Sequence, residues 1–72
     1  MKEIHQESVC WKSFPGESKL QVYHPLAAKK VSRIKGAKLS AVSVSGPYLR
    51  VFTLPWPISR TRYWAKRNLG HL

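Results

Sequence analysis

Seventy-two residues of 8.3 kDa leave room for one small domain, and thirteen Lys and Arg against three Glu, with no Asp, set a net charge of +10. A chain of this length buries only about 60% of the surface its unfolded form exposes, which argues against a free-standing enzyme with a carved active site. The 43% hydrophobic content is in turn too high for a purely disordered polycation.

Charge is unevenly distributed. Residues 1–17 hold two lysines and all three glutamates, whereas residues 18–72 hold eleven Lys or Arg and no carboxylate. Cations without an internal counter-charge repel one another and oppose compaction unless a polyanion neutralises them. The chain is therefore expected to be fully ordered only on an anionic partner. The N-terminus, Met1-Lys2-Glu3-Ile4-His5-Gln6-Glu7, is too acidic and polar for a secretory or transit signal. The longest uncharged stretch, Leu39 to Leu49, falls far short of the ~20 apolar residues that span a bilayer. The expected location is intracellular, in cytoplasm or an organelle, which the single unpaired cysteine supports.

In chain order, residues 1–18 show no clean period and end at the turn signal Ser13-Phe14-Pro15-Gly16, so they read as an N-terminal arm. Leu20-Gln21-Val22-Tyr23 alternates enough for a short strand. A basic helix is expected over about residues 25–35, with Pro25 in its first turn and Gly36 at a left-handed terminus. At 100° per residue, Ala27, Val31 and Ile34 share one side of that helix, and Lys29, Lys30 and Arg33 the other. Residues 39–54 read as a β-hairpin: Val42-Ser43-Val44-Ser45 alternates strictly, Gly46-Pro47 turns, and Tyr48 to Leu54 is rich in β-formers. Pro55-Trp56-Pro57 stops regular structure. Ser59 is expected to cap a last helix that Gly70 ends, with Arg60, Arg62, Lys66 and Arg67 spread around it. A helix charged on most sides is poorly suited to lying on its own core. The fold class is a small α+β protein, divided into an arm (1–18), a small core (19–57) and a basic C-terminal helix or extension (58–72).

Two basic constellations stand out. Residues 29–38 hold Lys29, Lys30, Arg33, Lys35 and Lys38, a cluster of a kind shared by ribosomal proteins, import signals and heparin-binding patches. Residues 60–67 interleave Arg60, Arg62, Lys66 and Arg67 with Tyr63 and Trp64. Cations neutralise phosphates, and flat aromatic faces stack on unpaired bases. The expected RNA-binding set is these nine cations together with Arg50. Trp56, Tyr63 and Trp64 are either stacking residues or simply core. Ser32 after two lysines fits a basophilic kinase pattern, one that arises readily by chance.

Chemistry beyond binding is not expected. Cys10 excludes a disulfide framework, and with His5, His24 and His71 it forms no metal-ligand spacing. All glutamates lie in the first 17 residues, and a Cys–His nucleophile would lack its orienting Asp. No catalytic residue, metal, cofactor or small-molecule substrate is assigned. The expected function is that of a non-enzymatic RNA-binding component of a ribonucleoprotein particle. A small ribosomal protein that bridges rRNA phosphates beside neighbouring proteins is the leading form. The alternative is a small basic regulator or inhibitor docked on an acidic groove of a protein partner.

Overall fold

A computed structural model describes residues 8–69. Its elements run β1 (Val9–Phe14), β2 (Glu17–Val22), α1 (Pro25–Ser32), β3 (Lys38–Val42), β4 (Arg50–Leu54) and α2 (Ile58–Leu69). One antiparallel sheet has the order β1-β2-β4-β3. α1 carries the chain from β2 to the far edge, and β4 returns between them. Both helices lie on one face, α1 against β4 and α2 against β1 and β2.

Residues 9–14, expected within an arm, pair with β2 as a hairpin. Pro15 presets the turn and Gly16 takes the positive φ, +78°, that its second central position needs. β2 alternates regularly: Ser18, Leu20 and Val22 are buried under the helices, and Glu17, Lys19 and Gln21 face outward. Leu20, Val22, Phe52 and Leu54 form the sheet's half of the core, and Ala28, Val31 and Ala65 the helical half.

α1 begins as expected at Pro25, and His24 caps it by accepting the Leu26 N–H on Nδ1 at 3.1 Å. It stops at Ser32, three residues short of the expected end. The Ser32 hydroxyl donates to the Lys29 carbonyl at 2.7 Å, the acceptor the Arg33 N–H would otherwise use. Arg33 N–H bonds Lys30 O instead, and Ile34 N–H bonds Val31 O, so the last turn tightens. Ala28 joins Val31 in the core, while Lys29, Lys30 and Arg33 stay exposed.

The hairpin expected over 39–54 forms as β3 and β4, with a register shift at Ser40, but its strands are shorter than expected. Residues 43–49 are a loop, closed by Ser43 N–H on Leu49 O and by the Ser43 hydroxyl on Pro47 O, with positive φ at Gly46. α2 departs from expectation in two ways. Pro57 O accepts from Arg60 N and Thr61 N, so the helix starts before Ser59, which sits exposed inside it rather than capping it. The helix also lies on the core despite its charges, because its inward residues are small. Thr61 and Ala65 are fully buried, and the Thr61 hydroxyl bonds that of buried Ser18 on β2. Gly70, His5 and His71 lie outside the described residues. No described helix is long and apolar enough to cross a membrane.

Candidate nucleic-acid interface

The turn that follows α1 meets the approach to α2 where Gly36 packs against the Pro55 ring. Gly36 has φ +90°, and a Cβ built on it would stand 2.9 Å from Pro55 Cγ. Only a residue without a side chain fits both the conformation and the space. We expect Gly36→Ala to destabilise the fold by about 1–3 kcal/mol, seen as a lower urea midpoint with an unchanged slope. A neutral result would mean the Pro55 turn shifts freely.

Beside that contact lies a groove of about 710 Å³ between the helices, lined by Lys35 from one side and Trp56 from the other. Lys30, Arg33 and Lys35 come from the α1 end, and Arg60 and Arg67 from α2. Trp56, Tyr63 and Trp64 line the space between them. Lys30 Nζ also donates to Asn68 O at 3.0 Å, a cation on a late carbonyl of α2 that ties the helices together. Among the described residues Glu17 is the single carboxylate, and it accepts the Ser13 hydroxyl at 2.7 Å on the hairpin. The groove is therefore lined by five cations and no acid.

The aromatic side chains serve two purposes. Trp56 and Trp64 are half-buried against the core, their centroids 6.3 Å apart and planes tilted by 58°. The outward ring faces carry cations: the Arg60 guanidinium lies 4.4 Å over Trp56, and that of Arg67 5.6 Å over Tyr63. Arg67 also donates to Tyr63 Oη at 3.1 Å. Cation–π attraction holds a guanidinium over a ring, and its five N–H donors leave some for an anion even where one is spent, as on Tyr63 Oη by Arg67. In this state Trp56 and Tyr63 act as shelves for arginines rather than as open stacking platforms.

The chain matches no protein-family model, no curated protein and no solved structure.

The two sequence clusters are thus partly merged and partly split. Lys30, Arg33, Lys35, Arg60 and Arg67 converge with all three expected aromatic residues. Lys29 and Arg50 border a shallower cleft with Ser32, Leu39 and Tyr48, and Arg50 stacks 4.1 Å over Tyr48. Lys38 stands on β3, opposite Thr53. Arg62 and Lys66 are exposed on the other flank of α2, about 100° to 160° around the helix axis from Arg60 and Arg67 at 100° per residue. Sequence reasoning missed Asn68, which faces the groove, and missed that 100° periodicity divides α2's four cations into two pairs.

Proposed function

We propose that the chain is a non-enzymatic, RNA-binding component of a ribonucleoprotein particle, with a small ribosomal protein as its leading form. The observation that supports this reading is the convergence of five cations from two helices on one carboxylate-free groove. Lys30, Arg33 and Lys35 on one wall and Arg60 and Arg67 on the other would bridge phosphates of folded RNA. Such contacts position the protein and carry little sequence information. Aromatic support under Arg60 and Arg67 lowers the entropy lost when the guanidinium groups engage.

Salt dependence tests the proposal. If all five cations meet phosphates, log K against log[salt] should have a slope near about −4.5 on duplex RNA and about −3.5 on single strands. Titration of a structured RNA at several salt concentrations measures it. The second reading, docking on an acidic protein groove, draws support from the half-buried Trp56–Trp64 pair as an apolar anchor. A protein groove has no condensed counterion layer, so a slope shallower than about −2 on every RNA tried would favour that partner.

A further inference from the structure

The sheet's outer face, turned away from both helices, carries a second organised set of side chains. Across the four strands Trp11 stands opposite Lys19, Lys19 opposite Thr53, and Thr53 opposite Lys38. Partners in an antiparallel pair point to the same side, so these four form one continuous row. The neighbouring row is Val9, Gln21, Val51 and Ala41. Lys19 Nζ donates to Thr53 Oγ1 at 2.7 Å, which leaves two of its three donors for other acceptors. Ser40 bonds the same Thr53 hydroxyl, and Gln21 Nε2 donates to Tyr23 Oη. Trp11 is 39% exposed, and Phe14, opposite Glu17 past the bulge, is 65% exposed. Among the described residues no guanidinium lies over Trp11, unlike Trp56 and Tyr63.

We propose that this face binds single-stranded nucleic acid, with Trp11 stacking on an unpaired base and Lys19 and Lys38 taking phosphates on either side of Thr53. Charge selects the class of occupant. A second copy of this chain would set Lys19 and Lys38 against a surface of the same +10 protein, whose three glutamates leave most of its cations uncompensated. Base accessibility selects the strandedness, because a duplex hides the base faces that an exposed indole would cover. The inference shares its ligand class with the groove reading and uses none of the groove's residues. With the groove on the opposite layer, two RNA segments would be held at once.

The test uses the full chain with three probes: a single-stranded oligouridylate of about ten nucleotides, a blunt RNA duplex, and anionic phosphatidylglycerol vesicles. Trp11→Ala should weaken oligouridylate binding by about 5- to 150-fold, the range one base–aromatic stack supplies, and leave duplex binding unchanged. Trp11→Phe, which keeps a ring, should stay near wild type. In a Trp56→Phe/Trp64→Phe background the remaining indole emission should quench with oligouridylate and not with vesicles. If Trp11→Ala lowers the melting transition, Lys19→Gln/Lys38→Gln decides instead, and its oligouridylate salt slope should flatten by about 1.4. Unchanged oligouridylate affinity in both variants overturns the proposal, as does Trp11 quenching by vesicles alone. Groove substitutions separate the two readings. If they abolish all RNA binding while the Trp11 and Lys19/Lys38 variants bind normally, the groove reading stands and this one fails. The reverse pattern retains the sheet face and removes the groove.

Discussion

Replacing Lys30, Arg33, Arg60 and Arg67 together by glutamine should lower affinity for structured RNA by about three orders of magnitude near 0.15 M salt. Four lost phosphate contacts remove about 3.6 units of slope on a duplex. Extrapolated from about 1 M salt, where that term vanishes, to about 0.15 M, 3.6 units of slope amount to roughly a thousandfold. All four side chains are exposed, so the fold should survive, less the Lys30 bond to Asn68 O across the helices and the two guanidinium–ring contacts on Trp56 and Tyr63. The ring contacts are worth about 0.5–1 kcal/mol each at exposed sites. The matched control is Arg62→Gln/Lys66→Gln on the other flank of α2, which removes two charges outside the groove. Its slope should change by less than about one unit. Equal flattening per charge in both variants would mean that RNA senses the net charge and no particular groove. Salt-series titrations of the three proteins, with circular dichroism as the check on folding, separate these outcomes.

Local signals carried much of this fold. Pro25 starts α1 because proline presets a first helical turn. Gly36, expected at the helix end, takes its positive φ in the turn beyond, after the helix has stopped at Ser32 with Arg33 still right-handed. The second hairpin lies where Gly46-Pro47 and the β-formers before Leu54 place it, but the strict alternation at Val42 to Ser45 misled: β3 ends at Val42, and Val44 stands almost fully exposed in the loop. β1 was not legible in the same way. Its outward positions, Val9 and Trp11, are apolar although they face the open side, and Lys12 falls on the helix side's parity at the sheet edge. A strand at an edge need not alternate, so its pairing with β2 decided its conformation, and only the Pro15-Gly16 turn pointed to it.

The groove was legible in its parts and not in its assembly. Lys30 and Arg60 are thirty residues apart, and what joins them is the fit of Gly36 against Pro55 and the Lys30–Asn68 contact. Neither has a periodic signature. Thr61 and Ala65 show a related effect: small inward residues seated a helix whose surface charge suggested it would stand free. Charge counts along a helix overlook how little inward area a narrow seat requires.

Leu20→Ala should abolish cooperative folding of the isolated chain at low salt. Leu20 is fully buried at the centre of the sheet, opposite Cys10 on β1 and Phe52 on β4. Truncating such a leucine costs about 2–5 kcal/mol, through lost transfer energy and the cavity left behind. A chain of this size holds roughly 4–11 kcal/mol in total, and unscreened repulsion among eleven cations draws on that margin. The two effects differ in their response to conditions. Salt screens charges and leaves the cavity untouched, so sulfate should raise the melting temperature of wild type and variant alike without closing the gap between them. A ligand that binds only the folded state adds about 4 kcal/mol at a thousand times its Kd, enough to offset most of the cavity cost. Structured RNA should therefore restore the helical signal of Leu20→Ala, and the groove-glutamine protein should gain no such protection. Leu39→Ala on the β3 edge, where the side chain is 54% exposed, should melt within about 0.5 kcal/mol of wild type. A Leu20→Ala protein that melts cooperatively in low salt without RNA would show that the seven-residue core exceeds the chain's needs. Order would then precede the partner, and the acid-free stretch of the sequence would shape binding alone.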